Sequence, residues 1–203
     1  MSALLILGAG GHGRVVADAA LCTGRWTRVV ATDRDAARCQ GDLIAGVQCL
    51  SMVQALALPA GRHIAIGHAR HRQREADALA VQSLVDVIHP HASVSAFATL
   101  GPGCFVAAQS VVAAGAVLGR CAIVNHGAVV DHDVLLGEFC HVAPRAALGG
   151  GVQAGHRVLV GSGAVVLPGL RIADDVVIGA GAVVRSDLLE AGTYAGVPAR
   201  RIA

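Results

Sequence analysis

From Val94 onward an aliphatic residue returns at every sixth position. The series is Val94, Leu100, Val106, Val112, Leu118, Val124, Val130, Leu136, Val142, Leu148, Ala154, Val160, Val166, Ile172, Ile178 and Val184; it has no insertion, and fifteen of its sixteen members are Leu, Ile or Val. Four places further on the residue is again small or aliphatic, as at Cys104, Ser110, Ala116, Ala122, Ala128, Val134, Cys140 and Ala146. The position directly after each repeat residue is often Gly, Asn or Asp, which suits a tight turn. An α-helical face recurs near every 3.6 residues, so a period of six is not helical. It predicts a hexapeptide β-helix, in which three hexads close one triangular coil of about 18 residues and the repeated aliphatic residue points inward. Neighbouring coils would stack about 4.8 Å apart through parallel-sheet hydrogen bonds. The expected β-helix spans residues 91–190, followed by a tail at 191–203. Periodicity does not fix its hand, since ordinary crossovers are right-handed.

Residues 1–90 carry a different pattern, that of a small α/β domain. Leu4–Leu7 reads as a buried strand running into Gly8-Ala9-Gly10-Gly11-His12-Gly13 and then a helical stretch, Arg14–Leu21. This is a G-x-G-x-x-G turn between strand and helix, where glycines permit tight turning and free helix N–H groups face a phosphate. A second strand, Arg28–Thr32, ends at Asp33, placed to accept hydrogen bonds from a ribose or a base. A third, His63–Ile66, ends at Gly67-His68 before the basic helix start Arg70-His71-Arg72. A fourth, Ser83–Ile88, leads through His89-Pro90 into the hexads. The glycine motif alone is compatible with a dinucleotide, but the space before the repeat holds one mononucleotide-binding half rather than two. A nucleotide-sugar is the favoured ligand.

Composition narrows the chemistry. Apolar residues make up 54% of the 203, aromatics only 2%, so the core is built of thin aliphatic layers without large rings. Net charge is +2 with histidine neutral, and no basic run is interleaved with aromatics, which leaves nucleic-acid binding unsupported. All 16 basic residues are Arg, which excludes Schiff-base and Walker-lysine chemistry. The six cysteines form no CxxC pair and read as small buried apolar residues in a reducing compartment. The apolar run Ala3–Leu7 is too short for a signal peptide or a membrane span, so a cytoplasmic protein is expected.

Ten histidines supply the candidates for proton transfer near neutral pH. His132 stands out in Asp131-His132-Asp133, because an adjacent carboxylate orients an imidazole and stabilises its charged form. Asn125 and His141 are 16 apart, close to one coil, and so fall on adjacent coils of one wall. No ligand spacing supports a metal site. Cys140 adjoins His141 but occupies an inward position, which makes it a poor nucleophile.

Gly10-Gly11-His12-Gly13-Arg14-Val15-Val16, Ile64-Ala65-Ile66-Gly67, Ile88-His89-Pro90, the segment from Asn125 through Gly127-Ala128-Val129-Val130-Asp131-His132-Asp133, and the closing Gly196-Val197-Pro198-Ala199-Arg200 resemble, in order, the bacterial nucleotide-amino-sugar N-acetyltransferases and the related sialic-acid O-acetyltransferases. The resemblance covers nearly the whole chain. It implies a left-handed β-helix, acetyl-CoA as co-substrate without a metal, and homotrimers with each active site between two subunits. It further implies His132 as general base, Asp133 as the acid that orients it, Asn125 and His141 as pocket wall, and the Gly150 amide as oxyanion donor. Gly10, Gly11, His12, Gly13, Asp33, Gly67 and His68 would hold a UDP- or GDP-linked amino sugar. Gly161, Ser162, Gly179, Ala180, Pro198 and Arg200 would line the acetyl-CoA groove. His126 departs from the family pattern, where a small polar residue is common, and the tail has no Lys, so Arg200 or Arg201 would meet the CoA phosphate. Acetylation of a sugar hydroxyl, or nucleotide-sugar binding without catalysis, are the alternatives; Asp131-His132-Asp133 speaks against the second.

Overall fold

The computed structural model describes residues 3–202. Its first part is a sheet of β1 (Ala3–Leu7), β2 (Arg28–Thr32), β3 (Asp42–Ile44), β4 (Val47–Cys49) and β5 (Gly61–Ile64), in the order β3-β4-β2-β1-β5. Leu4, Leu5 and Ile6 are fully buried, as an unbroken apolar run must be when a parallel strand is covered on both faces. α1 (Gly11–Thr23) packs Val16, Ala17 and Ala20 on one face and ends on Gly24 in the left-handed conformation, φ 61°, which only glycine adopts cheaply. α2 (Met52–Leu56) and α3 (Ala69–Asp77) cover the other, through Ala55 and Ala76.

Several boundaries differ from expectation. α1 begins at Gly11 rather than Arg14, because Gly10 already serves as its N-cap. β5 spans Gly61–Ile64 rather than His63–Ile66. The hairpin β3–β4 was not legible: its strands are too short to alternate, and Gly46 at φ 84° makes the turn. The strand expected over Ser83–Ile88 divides: Leu84 makes a single parallel bridge to Arg62 of the first sheet, whereas Val87–Ile88 (β6) pairs with Phe105–Val106 in a β-helix wall. The Asp86 carboxylate accepts the Cys104 N–H at 2.8 Å and fixes that register.

The remainder is a left-handed β-helix with three walls. The first runs from β6 through Phe105–Val106, Ile123–Val124, His141–Val142, Leu159–Val160 and Val176–Ile178 to Gly192–Ala195 and the antiparallel Arg200–Arg201. The second stacks Ser93–Val94 up to Val183–Val184, and the third Thr99–Leu100 up to Arg171–Ile172. Val112 pairs with Val130 and Val130 with Leu148, so the coil is 18 residues and the repeat residues stack inside. From Leu100 to Ile178 the third residue after each inward aliphatic turns the corner in the left-handed conformation, whether glycine, as at Gly127 (φ 62°), or not, as at Asp133 (φ 58°). Phe105 and Ile123 point outward from the first wall yet are buried, because the α/β part docks there. No disulfide forms; four cysteines are buried as expected, Cys39 is half-buried, and Cys22 is exposed on α1.

Candidate active site

Two groups of functional side chains emerge, on different walls. The first sits at a corner between the second and third walls. Val130 points inward, the chain turns through Asp131, and the left-handed Asp133 swings its carboxylate back so that Oδ2 lies 2.9 Å from His132 Nδ1. The His132 N–H donates to Asp131 Oδ1 at 2.7 Å. The ring is 64% exposed, and its pKa is raised, first by the hydrogen bond to Asp133 and then by the Asp131 charge. One coil further on lies Gly150, so close beneath the ring that a Cβ there would sit 2.3 Å from His132 Nε2. The amides on either side are engaged, Gly149 with Val166 O and Gly151 with His132 O, each at 2.9 Å; among the described residues the Gly150 N–H has no acceptor.

The second group lines the seam between the α/β part and the first wall. Asn125 Nδ2 lies 3.1 Å from His141 Nε2, while Asn125 Oδ1 accepts the His126 N–H at 2.9 Å. His12, on α1, stands edge-on to Phe105 at 5.3 Å and 6.2 Å from the His141 ring, its Nε2 buried without a partner. Burial and the neighbouring His141 drive the His12 pKa down to about 3, and burial with the nearby Arg72 charge drives His141 down to about 4. Both rings are neutral at physiological pH. Arg72 itself is 1% exposed, its guanidinium wedged between α3 and two coils.

The PglD N-terminal domain family model matches residues 3–79. The acetyltransferase domain of PglB from Neisseria gonorrhoeae is 35% identical with a TM-score of 0.94, over 100% of both chains. The chain belongs to the PglD-like acetyltransferases. PerB from Caulobacter crescentus, solved in complex with CoA and GDP-perosamine, is 36% identical to this PglD-like acetyltransferase, with a TM-score of 0.86 over 100% of this chain and 98% of that one. WeeI from Acinetobacter baumannii shares the fold at 21% identity and a TM-score of 0.85 over 100% of both chains.

Two cavities matter in this PglD-like acetyltransferase, one within the α/β part and one at the seam. One, of about 350 Å³, opens at the ends of β1 and β2 and is lined by Gly8, Asp33, Arg34, Arg38, His71 and Glu75 among others. Of the residues expected to hold a nucleotide-sugar, Asp33 alone lines it. Both Asp33 oxygens are already used, accepting the Ala9 N–H at 2.8 Å and the Asp35 N–H at 3.0 Å, so this carboxylate braces the glycine loop. Gly10 stands beside Arg38, and a Cβ at Gly13 would lie 2.0 Å from Gly8 O, which is why the helix can start so close to the strand; Gly11 faces open space. Gly67 and His68 fall elsewhere. They line a second cavity of about 260 Å³, with His141, Arg157, Leu159, Asp175 and Val177.

Of the expected acetyl-CoA positions, Gly161 and Gly179 follow Val160 and Ile178 at one edge of the first wall, where a Cβ at Gly161 would strike Ile178 O at 2.6 Å. Ser162 O accepts the Gly181 N–H at 2.9 Å, one coil above, and Ala180 adjoins it. Pro198 follows a cis peptide bond in the tail. Arg201 is paired with Glu190 at 2.6 Å, whereas among the described residues Arg200 meets only the Ala199 carbonyl. Asp18, Cys22 and His89 bring three potential metal ligands within 4.8 Å of one another. His89 Nδ1, however, accepts the His91 N–H at 3.0 Å, so the proton of the neutral ring sits on Nε2 and neither nitrogen offers a free lone pair. Arg38, Glu75 and Arg72 were missed by sequence reasoning, which treats charged residues on a helix as solvated.

Proposed function

We propose that this chain transfers an acetyl group from acetyl-CoA to the amine of a UDP- or GDP-linked amino sugar, with His132 as general base. The observation that carries this reading is the His132–Asp133 pair, whose exposed Nε2 stands over the unengaged Gly150 N–H. The sugar amine attacks the thioester carbonyl and the C–N bond forms. His132 Nε2 takes the amine proton, and Asp133 stabilises the imidazolium through Nδ1. The Gly150 N–H donates to the oxyanion, the C–S bond breaks, and the proton passes to the CoA sulfur. The raised pKa of His132 makes it the stronger base for this step.

The nucleotide occupies the cavity around Asp33, where Arg34, Arg38 and Arg74 present positive groups to a diphosphate. The thioester end of acetyl-CoA lies against the first wall near His141 and Leu159, with Arg200 toward its phosphate. His132 and His141 belong to different walls of one chain. A complete site therefore joins the His132 corner of one copy to the first wall of another, in a homotrimer. Val117, Leu135 and Val165, exposed on the second and third walls, supply apolar surface for that association. PerB, with CoA and GDP-perosamine bound, is the relative that points to an amino sugar.

The test is thiol release from acetyl-CoA with a panel of UDP- and GDP-linked amino sugars and their hydroxyl counterparts. Release that depends on a nucleotide-linked amine is expected. No release with any amine, or release with hydroxyl sugars alone, overturns the reading.

A further inference from the structure

A chain of polar contacts runs from α3 to the Asn125–His141 pair, and what it implies rests on the function proposed above. Asn125 Oδ1 is taken by the His126 N–H, so the Nδ2 amide group faces His141 Nε2 at 3.1 Å. An amide N–H donates, and Nε2 must accept. The neutral His141 ring therefore carries its proton on Nδ1, and Gly67 lies beside it, lining the same cavity. The Gly67 carbonyl accepts from Arg72 Nη1 at 2.8 Å.

Arg72 is built for this place. Its five N–H bonds meet five carbonyl oxygens: Ile66 and Gly67 on the loop before α3, and Cys121, Phe139 and Cys140 on two coils of the β-helix. No carboxylate among the described residues pairs with it, so a full positive charge lies buried beside His141 and opposes its protonation. The other charged or titratable groups facing His141 are His12 from α1, His68 and Arg70 at the start of α3, and Arg157 and Asp175 from the β-helix. Arg157 forms a bidentate pair with Asp175 and lies 3.6 Å from Asp174, with Arg70 also on Asp175 at 3.0 Å; these two cations face two carboxylates, which leaves Arg72 the unneutralised charge of the set.

We propose that Arg72 is a positioning residue for acetyl transfer: its buried charge keeps the His141 ring neutral and its grip on the Gly67 carbonyl holds an acceptor on the Nδ1 side of that ring, which together fix the Asn125 amide as a hydrogen-bond donor to an oxygen of the bound substrates. One Asn125 N–H is spent on His141, and the second is the one delivered to the pocket. Protonation of His141 would place Nε2–H against that amide and force it to turn its oxygen inward.

Imidazole 15N and 13C NMR on the wild-type trimer, from about pH 8 to about pH 5, reads the chain directly. His141 should show the Nδ1–H tautomer and stay neutral throughout. An Nε2–H tautomer, or titration near its ordinary value, overturns the proposal without any variant. Arg72→Met should raise the His141 pKa by about one unit or more and steepen the fall of kcat/KM below about pH 5, beneath the limb that His132 sets. kcat should fall about tenfold, and Arg72→Lys, which keeps the charge but has fewer donors, should fall between. In a His141→Gln background, Arg72→Met should leave the pH profile unmoved. A lower melting temperature in Arg72→Met with the wild-type His141 titration and pH profile would make Arg72 a structural bolt only. The NMR arm is independent of turnover, so loss of the acetyl-transfer reading and loss of this one are separable.

Discussion

At the scale of single residues, His132 owes its character to two neighbours in sequence and one a coil away. Asp133 can reach back to Nδ1 because it occupies the left-handed corner position, φ 58°. His132→Ala should lower kcat by about 10²-fold or more while the Michaelis constants move little, since the proton is taken only in the transition state. Asp133→Asn should cost less, because it orients the base without accepting the proton. Steady-state kinetics on the folded variants decides, and near wild-type turnover in His132→Ala removes it from the mechanism. Gly150 offers a sharper probe. A methyl there would overlap His132 Nε2, and the exposed ring would swing aside rather than the coil distort. Gly150→Ala should therefore melt like the wild type yet lose kcat on the scale of His132→Ala. Full activity in that variant would mean that the ring is not used where it stands.

At the scale of elements, the hexads explain themselves and the glycine loop does not. Each coil places an aliphatic residue inside and a left-handed residue three places later; the conformational cost at non-glycine corners such as Cys121 and Arg157 is roughly 1–2 kcal/mol each. The ladder of coil-to-coil hydrogen bonds over-determines those corners. The glycine loop instead relies on one distant carboxylate, Asp33, which holds the Ala9 amide from the end of β2. Asp33→Ala should release the loop and weaken nucleotide-sugar binding more than acetyl-CoA binding, as calorimetry with each ligand would measure. Equal losses for both would remove the case for a separate nucleotide site beside β2. Arg38, 3.6 Å from the same carboxylate, would keep only Asp35, at 3.5 Å, and is the side chain to watch in a structure of the variant.

At the scale of the molecule, the seam between the α/β part and the first wall is where histidines are buried neutral. His12, His63 and His141 have pKa values lowered by burial to about 3, 4 and 4, from an ordinary 6.5. Above about pH 6.5 neither the folded nor the unfolded chain protonates them, and their burial carries no proton-linked cost. Below it the unfolded chain takes up protons that the folded chain refuses, so stability falls as pH drops from about 6.5 toward 4. The slope reaches up to about 1.4 kcal/mol per pH unit for each histidine. Denaturant unfolding at pH 7 and pH 5 should show a clear loss at the lower pH, with the seam opening first. An unchanged midpoint would mean that these rings are solvated in the folded state. No helix among the described residues is long and apolar enough to cross a membrane.

The sequence by itself determined the β-helix, because its core contacts are local in register: what stacks on Val130 is whatever lies 18 residues away, and periodicity displays that directly. It also determined the strand–glycine–helix opening and the pairing of His132 with Asp133, which are near neighbours in the chain. Asn125 and His141 were legible for the same reason, being almost one coil apart. Tertiary structure decided the rest. That β6 belongs to the first wall, that Gly67 and His68 turn toward His141 rather than the nucleotide cavity, and that Arg72 lies buried with every N–H engaged all follow from how two separately patterned parts dock. Docking buries polar groups by matching carbonyls of one part to donors of the other. No periodicity within either part records that match.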